Sequence, residues 1–331
     1  MSDVIGSGAV RRTAIGRSGP ASATAHADQV VPDVLSVDRG DADRVSAGIE
    51  AASPVALGMS PSQHNLLVRI ASAVVMIAAA VGLAWAGPVP FGLLVLAVAL
   101  MVAWEWSHLV GGAAAGDGFA IYAVALIAAV ALTLFGLPVL ACLALAAGAI
   151  VLAGGGYGDN PLLSAAGIAN AGFAAVALIW MRSDPVYGLL AVLFLFLSVW
   201  TNDSMAFAAG KAIGRYKLWP AISPKKTWEG FAGGILASGV AGYAFAFVVP
   251  EAIPSRLAVI GMLAGAVAVA GDLAESALKR RFGVKDAGAI IPGHGGVMDR
   301  MDGIVAVAVA AALAAAALGG RSPAAAILIG G

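Results

Sequence analysis

Long apolar runs follow one another from Leu66 to the end of the chain. Each is near the roughly 20 residues that a helix needs to cross the hydrocarbon core of a bilayer. Gly, Pro and Asp turn signals separate them. The runs lie at approximately 66–86, 89–110, 119–136, 138–154, 162–181, 186–202, 229–249, 255–273 and 302–320.

These runs are continuously apolar, whereas the strands of a membrane barrel alternate between apolar and polar residues. Lipid cannot satisfy the open backbone groups of any other spanning structure, so the spans must be helices. The sequence therefore predicts an all-α, polytopic integral membrane protein with about nine transmembrane helices.

Composition supports this architecture. The chain is 60% hydrophobic and 11% charged, far from the roughly 25% charged residues of soluble domains. Its formal net charge is zero, so no overall field argues for a nucleic-acid partner. The single cysteine, Cys142, lies in an apolar run, where a buried structural thiol is expected.

Residues 1–62 differ from the rest. They are rich in Ser, Ala, Asp, Arg, Gly and Pro and contain no run long enough to span a membrane. Such a composition predicts a disordered tail, here a cytosolic one. Residues 63–331 are predicted to form the membrane domain.

Two segments between spans, near 203–228 and 272–302, carry most of the basic residues. Positive loops remain in the cytosol, and with nine spans the N-terminus lies on the same side as both segments. The opposite connections contain Arg182, Arg256 and Arg321. The basic residues of the two segments are Lys211, Arg215, Lys217, Lys225, Lys226, Lys279, Arg280, Arg281, Lys285 and Arg300.

The spans themselves are nearly free of ionisable groups, which places the chemistry in these two segments. A solute carrier would place polar or broken-helix positions in corresponding halves of the membrane region. The sequence shows no such repeat, which argues against a carrier.

Four carboxylates flank the second segment. Asp272 and Glu275 lie at the end of one span, and Asp299 and Asp302 share a helix face at the start of the next. If the two helices are neighbours, their oxygens form a site suited to Mg²⁺. Helix-end electrostatics, with Asp299 paired to a nearby cation, is the alternative.

The second segment also has features that suit phosphate. Lys279, Arg280, Lys285 and Arg300, with Ser276, suit a polyphosphate bridged by metal, although the positive-inside rule alone also explains cations here. In the turn that contains His294, Gly295 and Gly296, backbone amides can approach a phosphate closely. A plain turn with a satisfied histidine explains that pattern equally well.

The first segment offers a second phosphate-binding element. Ser223 is a neutral donor, Lys225 and Lys226 supply charge, and Asp203 is a further candidate carboxylate for a metal. The alternative is a basic loop that touches anionic lipid headgroups.

A separate acidic residue, Glu105, lies in the run Trp104–His108 at the cytosolic end of the second span. Tryptophans at such a position are typical of an interfacial belt. Glu105 and His108 are therefore not assigned to the site.

The second segment resembles the signature of the phosphatidate cytidylyltransferase, or CDP-diacylglycerol synthase, family. The resemblance extends to 223–230 and more weakly to the region of Arg69, but not to the tail before Met59, so a start at Met59 is a hypothesis that N-terminal sequencing tests. Where the family often has Asp-Thr-Gly-Ala-Tyr, this chain has Asp-Ser-Met-Ala-Phe at 203–207. The signature positions are Ser276, Lys279, Arg280, Lys285, Asp286, Gly288, His294, Gly295, Gly296, Asp299, Arg300 and Asp302.

The resemblance implies transfer of cytidylyl from CTP to phosphatidate, giving CDP-diacylglycerol and pyrophosphate. It implies a bacterial inner membrane with a cytosolic site, and a homodimer as a further expectation. Mg²⁺, with a second monovalent or divalent cation as an option, is expected on Asp272, Asp299 and Asp302. Residues expected to act in catalysis are Asp272, Asp299, Lys279 and Ser276; those expected to bind substrate are Ser223, Lys225, Lys226, Arg280, Lys285, His294, Gly295, Gly296 and Arg300.

Two other classes of function compete with this one. A membrane lipid kinase or a CTP-dependent transferase acting on an isoprenoid alcohol would use similar carboxylates and lysines. Its hydroxyl nucleophile would need a base, and only cytidylyl transfer releases pyrophosphate and leaves CMP on the lipid. A carrier or a non-catalytic scaffold would turn over no CTP.

Overall fold

The computed structural model describes residues 61–111, 115–157, 159–288, 290, 295–319 and 322–330. The predicted tail lies outside these residues, except for its last two, which begin α1. The helices are α1 (Pro61–Ala86), α2 (Pro88–Gly111), α3 (Ala115–Leu134), α4 (Pro138–Gly154), α5 (Pro161–Arg182), α6 (Gly188–Ile213), α7 (Trp228–Phe245), α8 (Pro254–Arg281), α9 (Met298–Leu318) and α10 (Pro323–Leu328). Strands β1 (Lys217–Trp219) and β2 (Ser223–Thr227) lie between α6 and α7, and a 3₁₀ turn, Ala246–Val248, follows α7.

The long helices α1 to α9 coincide with the nine apolar runs. Within the described part of the chain, six of them are long and apolar enough to cross a membrane: α2, α5, α6, α7 with its 3₁₀ turn, α8 and α9. The apolar stretches of α1, α3 and α4 are shorter, at Ile70–Ala86, Gly118–Leu134 and Pro138–Gly154. The described part of the protein thus has the architecture of a helical membrane protein, with six helices of spanning length.

Local signals fix several helix starts. Proline occupies the first turn of α4, α5, α8 and α10, where its missing N–H has no intrahelical partner to lose. At the start of α7 the Thr227 hydroxyl accepts a hydrogen bond from the Gly230 amide at 3.1 Å, which satisfies one of the unpaired donors of the first turn.

Several helices extend beyond the predicted spans. Asp203 and Asp299 lie on α6 and α9, and α8 continues beyond Asp272 to Arg281, so the segments between these helices are only 214–227 and 282–297. Hydropathy marks where lipid ends, whereas an existing helix gains a backbone hydrogen bond with each added residue. The two segments predicted as loops are therefore partly helical.

A β-hairpin lies where the all-α prediction placed no strand. Its antiparallel strands pair Lys217 with Thr227 and Trp219 with Ser223. The Glu229 carboxylate, in the first turn of α7, accepts hydrogen bonds from the Arg215 and Tyr216 amides at 3.0 and 3.2 Å. The hairpin is thereby held against the start of α7.

Helices α6, α7 and α8 pack side by side at very short range. A Cβ at Gly242 would lie 2.2 Å from the Leu257 carbonyl oxygen, and one at Gly261 would lie 2.4 Å from that of Ser238. The buried Ser238 hydroxyl donates to the Ser198 carbonyl at 2.8 Å. Small residues therefore bring these backbones into direct contact, and this contact places the acidic ends of α6 and α8 together.

Candidate active site

The two basic segments meet at one end of the helices. Lys226 on β2 forms an ion pair with Asp272 on α8, with Nζ 2.6 Å from Oδ2. Arg280, later on α8, donates from Nε to the Ile222 carbonyl at the turn of the hairpin, at 3.4 Å, and from Nη1 to the Val284 carbonyl at 3.1 Å. Residues about 50 positions apart in the chain thus share one site.

Asp272 is held from two directions. Its Oδ1 accepts a hydrogen bond from the Ser276 hydroxyl, one turn along α8, at 3.2 Å, and its Oδ2 faces Lys226. The side chains of Lys226 and Asp272 are 23% and 36% exposed, so this ion pair is open to water and can exchange partners.

Lys279 has the opposite character. Its Nζ lies 2.5 Å from Asp299 Oδ1 and 3.0 Å from Glu275 Oε1, and all three side chains are at most 10% exposed. Removing one partner from such a buried group leaves an uncompensated charge. Lys279 therefore joins α8 to α9 and is not free to move to another anion without leaving two carboxylates behind.

Asp299 is further fixed by backbone donors. Its Oδ2 accepts hydrogen bonds from the amides of Ala287 and Gly296, both at 3.0 Å. Gly295 adopts a φ of +85°, a conformation that side chains strongly disfavour, so the turn before α9 requires glycine. Within the turn that was predicted to bind phosphate, the Gly296 amide is thus hydrogen-bonded to Asp299.

A second group of carboxylates surrounds Asp302. Asp302 lies within electrostatic range of Asp203, Asp272 and Glu275, and its Oδ1 accepts a hydrogen bond from the Gly303 amide at 2.6 Å. Arg300 and Lys226 lie within electrostatic range of Asp203. Acids from three helices thus share one region, with cations beside them.

Among the described residues, no three carboxylate, histidine or cysteine side chains are grouped closely enough to form a ready metal site. Asp299, one of the three predicted ligands, contacts Lys279 and two backbone amides. Asp272 and Asp302 instead lie within electrostatic range of each other and of Asp203. The donor set around Asp302 consists of hard oxygens, and mutual repulsion among its carboxylates favours a cation. The oxygens of Asp203, Asp272 and Asp302 are thus of the kind that Mg²⁺ prefers, and the Mg²⁺ site itself stays a prediction.

Three further residues of the predicted site differ in their exposure. Ser223 is half-buried at the start of β2, while Lys225 on β2 and Lys285 after α8 are exposed. His294 lies outside the described residues, so its predicted place at the nucleotide end stays a prediction.

Glu105 is the residue that the sequence interpretation left out. It is 2% exposed, and its carboxylate accepts hydrogen bonds from the Val297 and Met298 amides at 3.0 and 2.7 Å. Trp106 is buried as well, with its indole N–H bonded to the Leu163 carbonyl at 2.7 Å, so this run is not simply an interfacial belt. An acidic residue near the end of an apolar span was the available signal, since such residues are costly in a membrane and usually functional.

Carboxylates, amines and a glycine turn gathered at one end of a membrane helix bundle suit an enzyme that transfers a phosphate-bearing group near the lipid surface. The chain belongs to the cytidylyltransferase family, whose profile matches residues 67–318. It is therefore a nucleotidyltransferase, and the resemblance carried by the signature residues is confirmed.

Individual relatives bear a more specific name. The chain is 37% identical over 247 residues to the phosphatidate cytidylyltransferase of Brucella abortus, covering 74% of this chain and 91% of that protein. It is 44% identical over 128 residues to the enzyme of the same name from Bacillus subtilis, covering 38% of this chain and 48% of that one. For the Haemophilus influenzae enzyme of that name the values are 41% over 128 residues, 37% and 44%.

Proposed function

We propose that the protein transfers the cytidylyl group from CTP to phosphatidate, releasing pyrophosphate and leaving CDP-diacylglycerol in the membrane. The observation that carries this proposal is the Lys226–Asp272 ion pair. It joins the two basic segments into one site, and the names of the relatives supply the substrates.

The reaction needs little proton chemistry. A phosphate monoester has its second ionisation near pH 6, so the phosphatidate headgroup is already largely a dianion at neutral pH. One of its oxygens forms a bond to the α-phosphorus of CTP while the bond from that phosphorus to the bridging oxygen breaks, and pyrophosphate leaves with the electron pair. No general base is required, so catalysis rests on alignment and charge neutralisation.

The cations of the site neutralise the triphosphate. Lys226, Arg280 and Arg300 border the acidic centre, and the exposed Lys225 and Lys285 extend the positive surface outward. Ser223 on β2 adds a neutral donor beside them. Lys279 acts differently: it holds Asp299 in place through a buried contact.

Asp272 and Asp302, with Asp203, would hold the predicted Mg²⁺, and Asp299 lies beside this group. A bound divalent cation would supply neutralisation of the negative charge on the phosphates. Lys226, whose ion pair with Asp272 is partly exposed, would be available to pair with a phosphate. Gly295 and Gly296 would line the nucleotide end, and the same role for His294 stays a prediction of the sequence.

We further propose that all nine long helices cross a bacterial inner membrane with the site facing the cytoplasm. The apolar stretches of α1, α3 and α4 cover about 25 Å at 1.5 Å per residue. This is a few ångströms short of the roughly 30 Å core, a mismatch that bilayers accommodate at modest cost. The homodimer expected from the resemblance stays a prediction.

Pyrophosphate release by the detergent-purified protein tests the function. With CTP, phosphatidate and Mg²⁺, we expect lipid-dependent release that EDTA abolishes and that Asp302→Asn reduces at least about 100-fold, as for loss of a group that stabilises charge in the transition state. Glu251→Gln, an exposed carboxylate between α7 and α8, is the matched control and should retain activity.

The product distinguishes the competing functions. CMP retained on the lipid supports cytidylyl transfer. A phosphorylated isoprenoid alcohol formed without pyrophosphate would replace the proposal with a lipid kinase, and no CTP turnover by folded protein would refute it.

A further inference from the structure

Several backbone amides at the start of α9 donate hydrogen bonds to side-chain carboxylates. The first amides of any helix have no intrahelical acceptor, and no side chain at the Val297 cap position accepts a hydrogen bond. Instead, the Gly296 amide donates to Asp299, and the amides of Val297 and Met298 donate to Glu105. Two carboxylates thus bind three successive amides.

Glu105 reaches these amides from a distant part of the chain. It lies on α2, 192 residues before Val297, and both of its oxygens are engaged. A carboxylate at a helix N-terminus is stabilised by the helix dipole as well as by the hydrogen bonds. Because two backbone amides hold the Glu105 carboxylate and the residue is almost unexposed, the carboxylate has one available position.

Two glycines make room for the Glu105 side chain. A Cβ at Gly288 would lie 2.4 Å from Oε1 of Glu105, and one at Gly296 would lie 2.7 Å from Oε2 and 2.8 Å from Oδ2 of Asp299. Any side chain at either position would push the carboxylate off its amides. Gly296 is therefore packed between Glu105 and Asp299 and links their positions.

We infer that Glu105 is a positioning residue for the reaction. By binding the Val297 and Met298 amides it fixes the start of α9, and through Gly296 it sets where the Asp299 carboxylate lies relative to Lys279. The inference rests on the proposed function for its kinetic consequence, but the structural contact stands independently of the substrate.

The kinetic test compares Glu105→Gln with the wild-type enzyme. Glutamine keeps the shape but presents an NH₂ group to one of two amide donors, so one contact is lost. We expect kcat to fall about 10- to 100-fold, because misplacement of about 1 Å costs about 100-fold. The KM for CTP should change less than about threefold, because the exposed cations that bind the triphosphate are untouched.

A matched control separates positioning from folding. Asp184 also binds backbone amides at a helix start, those of Val186 and Tyr187 before α6, on a connection outside the site. Asp184→Asn should lower the Tm with kcat unchanged. If Glu105→Gln behaves in the same way, or keeps kcat within twofold of wild type, the inference is overturned.

A second arm tests the glycine contact. Gly288→Ala alone should lose activity through the clash with Glu105, whereas adding Gly288→Ala to Glu105→Ala should lose little more, because the clashing carboxylate is gone. Coupled residues give such non-additive effects. If the loss of activity in the double variant equals the product of the two single-variant losses, the inference is contradicted.

Hydrogen exchange provides a readout that needs no turnover. In Glu105→Gln, peptides covering the start of α9 should take up deuterium faster, while those of α7 should be unchanged. If the wild-type protein releases no pyrophosphate, the proposed function fails, and this exchange result alone decides the contact. Unchanged exchange at Val297 and Met298 would overturn the inference.

Discussion

Lys226 and Lys279 are two lysines near one site that have different roles. Lys226 is partly exposed and pairs with one carboxylate, whereas Lys279 is buried between two. A solvent-exposed ion pair contributes about 0–1 kcal/mol to stability, so Lys226 is available for substrate. Lys279 is a structural link between α8 and α9.

We predict that Lys226→Gln raises the KM for CTP by about tenfold or more, since a charge-assisted hydrogen bond contributes about 1.5–3 kcal/mol. The free energy of unfolding should change by less than about 1 kcal/mol. Steady-state kinetics and thermal unfolding measure the two effects.

Lys211→Gln is the control for this change. Lys211 is an exposed cation on α6 that lies over the Phe207 ring, 5.9 Å from its centroid, and it should leave the KM unaltered. An unaltered KM in Lys226→Gln as well would remove Lys226 from the substrate site.

The sequence anticipated the helices better than the site. Continuous apolar runs located α1 to α9 because burial in lipid requires them. The same signal is silent beyond the bilayer, so the helical end that holds Asp203 was taken as a loop. Strands of three and five residues were too short for a visible alternation. Glu105 was missed because its amide partners lie far away in the chain.

The contact between α7 and α8 yields a prediction about stability. Gly242→Ala and Gly261→Ala should each destabilise the protein by about 1–3 kcal/mol, the usual cost of overpacking, because the new methyl would meet a carbonyl oxygen. At Gly82, on α1, a Cβ would meet nothing within 4 Å.

Gly82→Ala is therefore the matched control and should be neutral or slightly stabilising, given the better helix propensity of alanine. Thermal unfolding in one detergent compares all three variants. Equal Tm values would mean that the helices separate readily at these crossings.

The carboxyl group of Asp184, between α5 and α6, predicts that the stability of the folded protein depends on pH. Burial raises the pKa of its carboxyl, but hydrogen bonds from Ser322 and from the amides of Tyr187, Val186 and Gly188 outweigh burial and hold the pKa below its ordinary value. A lowered pKa stabilises the folded state above the unfolded value of about 3.9, and the stabilisation is lost as pH falls through the folded value.

Asp184→Asn should therefore lower the Tm near pH 7, and this decrease in Tm should be much smaller near pH 3. Thermal unfolding at both pH values measures it, with Asp159→Asn, an exposed residue between α4 and α5, as the comparison. A deficit that grows on acidification would contradict the assigned hydrogen bonds.

At the scale of the whole molecule, the proposed topology predicts opposite accessibility for the two ends of the bundle. In a Cys142→Ser background, Glu251→Cys should react with an impermeant maleimide in intact cells, and Lys217→Cys only after the membrane is opened. Cys142 is the only cysteine, so its removal leaves one label site per variant. The reverse pattern would place the active site outside the cell.

The contact between Glu105 and the start of α9 also bears on biosynthesis. The chain is made from its N-terminus at about 5–20 residues per second, so the 192 residues between Glu105 and Val297 correspond to roughly 10–40 s. During that interval α2 carries an acidic side chain whose partner amides, the hydrogen-bond donors, do not yet exist. The nascent protein must keep this end of α2 hydrated or shielded until almost the last helix is inserted.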